Sequence, residues 1–292
     1  MLVHVPRLVS IEVGTSAASL CTDEILQVVN EVAELTVGTL RLVLRDRQAI
    51  DTLLRVADHA QYRDINTILS LPRADEQTLL AATAISPAAI ALPLQAHYEE
   101  LHDAIAPFCC TWCETAAFAA MARHAGVAVE LETEVVPANA DDLVSIASVA
   151  TALHASRWRV DFSVVKPHPT AAATILGIAD RGTLPMTVHA LPQLRTALLR
   201  QMTTDFRIPD LRKLSSIDRS ENVHIAHDGV VLIHRRANEI AGSVRRQTVT
   251  AVFNGSASYL RLRASDDPQR RVTPSRESRL RLVPAAEAAR TL

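Results

Sequence analysis

The sequence predicts an α/β protein built as a partial (β/α)6 TIM-like barrel, followed by a small C-terminal extension that contains a β-hairpin. Short apolar runs alternate with longer amphipathic stretches up to about residue 166, the pattern of strand–helix units that build a parallel sheet. Six such units fit before the pattern changes at Pro167, fewer than the eight of a closed barrel. With 292 residues, 48% of them hydrophobic, the chain is long enough to bury one large core.

Taken in order, strands are predicted at Leu8–Val13, Leu40–Leu44, Ile65–Leu71, Ala89–Leu94, Ala128–Val136 and Trp158–Val165. Helices are predicted between them at about Thr22–Leu35, Ala49–His59, Asp75–Ala84, Glu114–Ala125 and Ala140–Leu153. Thr22-Asp23-Glu24 supplies the hydroxyl and carboxylates that satisfy free amides at a helix start, and Gly126 suits a left-handed C-cap. Beyond Pro167 come loops, an Arg-rich helical stretch near Leu191–Asp205, and a hairpin over Val223–His234. Its turn is Asp228-Gly229, a pair that tolerates the positive φ angles of a tight hairpin. From Ser265 the chain is rich in Arg, Pro, Ser and Ala without apolar periodicity, which predicts a loosely packed tail. The expected organisation is a barrel over 1–170, the extension over 171–264 and the tail over 265–292.

Composition removes several function classes. A formal net charge of -2 gives no basic excess to gather nucleic acid or anionic membrane. Aromatics at 3% are too few for base-stacking platforms. No apolar run approaches the roughly 20 residues of a membrane span, and the first residues do not order a charged region, an apolar core and a cleavage site. The expectation is a cytoplasmic protein without nucleic-acid or membrane partners. Of four cysteines, three crowd into Cys109-Cys110-Thr111-Trp112-Cys113, unlike the spread pairs of a secreted scaffold. They read as reduced thiols, with a metal or redox role for Cys109, Cys110 and Cys113 as the lesser alternative. Dinucleotide, P-loop, zincin and nucleophile-elbow motifs are absent.

Strand periodicity points to a charged interior. In the fifth strand Val129, Leu131 and Val135 share one face, and Glu130, Glu132 and Glu134 share the other. The apolar face should meet the helices, which sends the carboxylates into the lumen. The same rule turns Arg159, Asp161 and Ser163 inward on the sixth strand, Ser10 and Glu12 on the first, and Arg41 and Arg45 on the second. Buried carboxylates need partners, since desolvating an isolated charge costs several kcal/mol. One reading is a salt-bridge network that fills the lumen. The other is a ligand cavity: Glu132, Asp161, Lys166 and His168 form the catalytic set, while Glu12, Arg45, Glu130, Arg159 and Ser163 hold the substrate. Ser163, Lys166 and His168 follow the sixth strand, on the side where barrel sites gather. Glu12, Glu132, Asp161 and His168 offer metal-ligand chemistry, but nothing in their spacing requires a metal and none is assigned. His224 and His227, three apart on the hairpin, fall on opposite faces, cannot pair as strand neighbours, and read as structural.

Three segments carry a resemblance to a known family. They are Ser10-Ile-Glu-Val-Gly-Thr15; the run from Leu101-His-Asp103 through Glu114–Gly126, Pro137-Ala-Asn139 and Trp158-Arg-Val-Asp-Phe162; and the hairpin with Ala241-Gly-Ser-Val-Arg245. In this order they resemble the radical S-adenosylmethionine (SAM) enzymes, in the peptide- and tetrapyrrole-modifying branch with a SPASM or twitch-like C-terminal region. The resemblance implies a CxxxCxxC loop after the first strand that binds a [4Fe–4S] cluster, and a GGEP turn after the second that contacts SAM. Here the first loop reads Gly14-Thr-Ser-Ala-Ala-Ser-Leu-Cys21 and the second Leu44-Arg-Asp-Arg-Gln48. The expectation is therefore no cofactor: no iron–sulfur cluster, and SAM in doubt with both anchors rewritten.

The function expected from these readings is that of a repurposed biosynthetic enzyme, natural-product or peptide-modifying, using acid–base chemistry in a polar lumen on a small molecule or short peptide. Two alternatives stand beside it: a non-catalytic pseudoenzyme that partners an active enzyme or binds a precursor peptide, and a cluster-independent SAM-binding methyltransferase. A homo-oligomer is compatible with each. Whether the chain is catalytic at all is open at this point.

Overall fold

The computed structural model describes residues 5–106, 109–161, 184, 186–189, 222–232 and 240–266. Six parallel strands stand where apolar runs predict them: β1 (Leu8–Val13), β2 (Thr39–Leu44), β3 (Asn66–Ser70), β4 (Ala89–Pro93), β5 (Val129–Glu134) and β6 (Arg157–Asp161). Helices α1 (Thr22–Glu34), α2 (Ile50–Tyr62), α3 (Glu76–Ala84), α4 (Glu99–Ile105), α5 (Trp112–His124) and α6 (Leu143–Ala152) connect them. β7 (Met186–His189) adds a further parallel strand beside β6. The hairpin β8 (Asn222–Ile225) and β9 (Val230–Leu232), with β10 (Ile240–Ser243), joins the same sheet, because β8 pairs parallel with β1. The strand order is β10-β9-β8-β1-β2-β3-β4-β5-β6-β7. This is a mixed α/β architecture with a parallel sheet, consistent with a partial TIM-like barrel.

The two-residue period sorts the strands' side chains between two environments. Val9, Ile11 and Val13, Leu40, Leu42 and Leu44, Ile90 and Leu92, Val129 and Leu131, and Trp158 and Val160 form one core with the helix faces of Ile25, Val29, Leu53 and Val56. Each such side chain contributes about 1.5–3 kcal/mol by leaving water. Thr133 lies on this apolar side yet is satisfied: its hydroxyl donates to the Leu94 carbonyl at 2.5 Å and accepts from the Trp158 indole at 2.8 Å. On the opposite face Ile68, Ala89 and Ala91 form a small separate cluster.

Helix starts follow their caps. α5 begins two residues before the predicted Glu114 because Thr111 is the cap. Its hydroxyl accepts from the Glu114 amide at 3.2 Å, and its own amide donates to the Glu114 carboxylate at 2.8 Å, a reciprocal capping box. At α3 the Asp75 carboxylate accepts from the Thr78 amide at 2.8 Å.

The hairpin braces the mouth of the sheet. Gly229 has φ +85°, and a Cβ there would lie 2.9 Å from Leu20 of the β1–α1 loop. The Leu20 amide donates to the His227 carbonyl at 2.6 Å, and the Val244 amide to Gly229 at 2.9 Å. Arg245, in the segment that resembles the family's, donates to Glu24 at 3.1 Å and to the Ser19 carbonyl at 3.0 Å. Helices α7 (Val249–Gly255) and α8 (Ala257–Asp266) follow. Gly242 lies under α7, where a Cβ would meet Val252 at 2.9 Å. The helical stretch predicted at Leu191–Asp205 and the tail beyond Asp266 lie outside the described residues.

Candidate functional site

All parallel strands point their C-terminal ends the same way, so the loops after β1, β2, β4, β5 and β8 share one mouth, where barrel sites gather. Ser10, Glu12, Arg41, Ser70, Glu130, Glu132 and His224 come from alternate positions on five strands, all opposite the apolar core face. Arg41, 3% exposed, crosses from β2 to β5 and gives one guanidinium nitrogen to Glu130 and the other to Glu132. Arg157 stands 3.5 Å from the second Glu130 oxygen, and the Ser70 hydroxyl donates to the second Glu132 oxygen at 3.0 Å. The Arg41 Nε has no hydrogen-bond partner among the described residues.

A second cluster lies at the ends of β1, β2 and β8. Glu12 is approached by Arg45 at 3.4 Å, His224 at 3.6 Å and His227 at 3.7 Å. Arg45 also meets the His227 Nδ1 at 2.7 Å. This corrects the expectation that the two histidines fall on opposite faces: β8 ends at Ile225, so His227 lies in the turn, where strand alternation no longer applies. Thr15 and Asp46 lock the two neighbouring loops together, through the Thr15 amide at 3.0 Å and its hydroxyl at 2.9 Å.

Arg159 and Asp161 are half-buried on β6, with Glu132 in register with Arg159 and Glu134 with Asp161. Ser163, Lys166 and His168 lie outside the described residues. Strand parity pointed to Arg41 but gave it no ligand role; Ser70 was not singled out, and its signal was the same parity on β3. Two loop residues were also missed: the His97 ring meets the Asp142 carboxylate at 2.6 Å. Their signal was position alone, each following a barrel strand on the mouth side.

No family model matches the chain, and no curated protein matches it. Solved structures do. Streptococcus suis SuiB shares 10% identity over 89% of this chain and 68% of its own, with a TM-score of 0.66. The fold is of the radical-SAM type. SuiB bound to S-adenosylmethionine gives a TM-score of 0.64 at 11% identity, covering 87% of this chain and 65% of that one, and SuiB bound to precursor peptide SuiA gives 0.65 at 12%, with coverages of 89% and 67%. This chain thus spans about two thirds of the length of SuiB. A structure of anSMEcpe with bound AdoMet and Cp18Cys peptide matches at 12% identity over 89% of this chain and 84% of its own, with a TM-score of 0.56.

These structures correct the expectation of no cofactor, since SuiB and anSMEcpe hold S-adenosylmethionine on this fold. The two parts of a radical-SAM centre fit the described residues differently. A cluster needs three thiolates, and the β1–α1 loop brings one, Cys21, at the start of α1. Cys110 lies buried beside α5, where its thiol donates to the Ala74 carbonyl at 3.5 Å and burial pushes its pKa up to about 12. Cys113 is exposed and also raised, chiefly by the Glu99 charge. The described thiols do not form that donor set. Glu12 and Arg45, partly open beside each other, offer a carboxylate and a guanidinium of the kind that suits the ammonium and carboxylate of SAM, whereas Glu130 and Glu132 are engaged by Arg41.

Proposed function

We propose that this chain is a peptide-modifying enzyme of the radical-SAM fold whose charged mouth holds S-adenosylmethionine and performs acid–base chemistry on a short peptide. The observation that carries the reading is the convergence, from strands far apart in sequence, of Glu12, Arg41, Arg45, Glu130 and Glu132 on one lumen. The peptide-bound SuiB and anSMEcpe structures support the substrate class.

SAM, when bound, supplies an activated alkyl group on a sulfonium centre. Glu132 has one oxygen on Arg41 and the other on Ser70, an arrangement that suits holding positive charge near the ligand better than moving a proton. Asp161, at the last position of β6 and half-buried, is better placed to exchange a proton with a peptide entering the mouth. Arg45, half exposed beside Glu12 and His227, orients a carboxylate. Lys166 and His168, outside the described residues, are proposed for catalysis from the sequence alone, as are Arg159 and Ser163 for substrate binding.

Calorimetry of the full chain with SAM tests the binding half. Micromolar binding that Glu12→Gln and Arg45→Ala weaken at least tenfold is expected, and no heat at millimolar SAM overturns it. Co-expression with a precursor peptide from the same locus tests the reaction, through a peptide mass change lost in Asp161→Asn. One observation favours a second reading, a non-catalytic peptide-binding protein: Arg41 itself occupies the lumen. Peptide binding with no mass change would select it.

A further inference from the structure

We propose that His97 and Asp142 form a base on the rim of the mouth, with His97 Nε2 as the atom that accepts a proton from the substrate and Asp142 as its positioning residue. His97 lies in the segment after β4, and Asp142 in the segment between β5 and α6. The two segments are fastened together below the pair. The Leu94 amide donates to the Glu132 carbonyl at 2.8 Å, and the Glu134 amide to the Gln95 side chain at 2.9 Å. Asn139, fully buried, donates to the Gln95 and Glu134 carbonyls, both at 2.8 Å, and accepts from the Val136 amide at 2.8 Å. The rim here is a hydrogen-bonded frame, the kind of support that holds a catalytic side chain in one geometry.

Asp142 occupies the N-cap of α6, where an aspartate ordinarily accepts from the amide of the second or third helical residue. It makes no such bond. Its carboxylate instead accepts from the His97 backbone amide at 3.2 Å and meets the His97 Nδ1 at 2.6 Å. A helix cap worth about 1 kcal/mol is given up for an imidazole. Pairing through Nδ1 directs that nitrogen's proton to Asp142, so in the neutral imidazole the lone pair is on Nε2. Tyr98 packs against the ring edge-on, centroids 4.7 Å apart at 72°, and the imidazole side chain is 42% exposed. Oriented by a carboxylate, steadied by an aromatic ring and open to solvent, this is the geometry of a general base.

The step balances without an oxidant or metal. Nε2 takes a proton from a substrate O–H or N–H, leaving the electron pair on the substrate atom. The imidazolium so formed is stabilised by Asp142 and returns its proton to water or product. The inference deepens the acid–base reading above and rests on it for the identity of the substrate, while the state of the imidazole is measured without any.

Nitrogen-15 NMR of the imidazoles in the full chain, with His97 assigned by His97→Gln, is expected to show protonated Nδ1 and bare Nε2. Diethylpyrocarbonate mapped by mass spectrometry is expected to modify His97 at Nε2 at least fivefold faster in the wild type than in Asp142→Ala, with the thermal midpoint unchanged to about 2 °C. Asp142→Asn, which keeps an acceptor of the same shape, covers the case in which Asp142→Ala does not fold; its expected modification rate falls between the two. A neutral imidazole with its proton on Nε2 in the wild type overturns the proposal, as does equal reactivity in the wild type and the Asp142 variants. A failed SAM titration would remove the functional reading and leave the dyad standing, whereas a wrong tautomer does the reverse.

Discussion

Replacing Arg41 by methionine is the sharpest perturbation of the lumen. Arg41 and Glu130 are each 3% exposed, and the guanidinium is shared between Glu130 and Glu132. Methionine keeps most of the aliphatic stem, so the loss is mainly charge. Arg157, itself half exposed, at 3.5 Å from Glu130 and the Ser70 hydroxyl at 3.0 Å from Glu132 do not replace a buried guanidinium shared by both carboxylates. Removing one partner of a buried ion pair costs about 3–5 kcal/mol because the other charge stays buried. At about 2–4 °C per kcal/mol for a chain somewhat smaller than this one, the midpoint of thermal unfolding should fall by about 10 °C. Replacing the whole network by apolar residues removes both sides of the imbalance and is often neutral or stabilising. Arg41→Met with Glu130→Met and Glu132→Leu should therefore recover most of the loss while abolishing SAM binding. Circular dichroism melts of wild type, single and triple variants read this directly. An Arg41→Met midpoint within about 2 °C of wild type, or a triple variant no better than the single, would refute the reasoning.

Other sites give independent outcomes. Asp75→Ala removes the cap of α3 and should cost about 1 kcal/mol at neutral pH, measured by urea denaturation. The bond to Thr78 holds the Asp75 carboxyl below its ordinary value of 3.8. Its contribution is therefore present above that value and lost as pH falls through the lowered one, so wild type and Asp75→Ala should converge in strong acid. Native alkylation followed by peptide mapping should label Cys21 and Cys113 and leave Cys110, buried and raised to about 12, unmodified. Glu99→Gln should speed labelling of Cys113, since the Glu99 charge is the chief cause of its raised pKa; an unchanged rate would contradict that cause. Gly229→Ala combines a positive φ with a contact of 2.9 Å to Leu20 and should destabilise by about 1–3 kcal/mol, with hydrogen exchange rising at the Leu20 and Val244 amides.

The strands were legible because each follows one rule throughout, side chains alternating between helices and lumen. Apolar runs located β1 to its terminal residues, and alternation put Glu130, Glu132, Asp161 and Arg41 on one side of the sheet. It stops where a strand stops. His227 lies two residues past β8, so its approach to Glu12 depends on how the turn is folded, and that is fixed by Gly229 against Leu20 and by Arg245 against Glu24. These are contacts between residues about two hundred positions apart, and no local pattern encodes them. The His97–Asp142 pair shows the same limit at closer range. Each residue alone reads as a solvated loop group or a helix cap, and only the frame of Gln95, Glu134 and Asn139 brings them within 2.6 Å. The rim is therefore specified by loop-to-loop hydrogen bonds, while the wall beneath it is specified by alternation. Substitutions in the wall should be read first in stability and those in the rim first in chemistry, which is why Arg41 and His97 call for different assays.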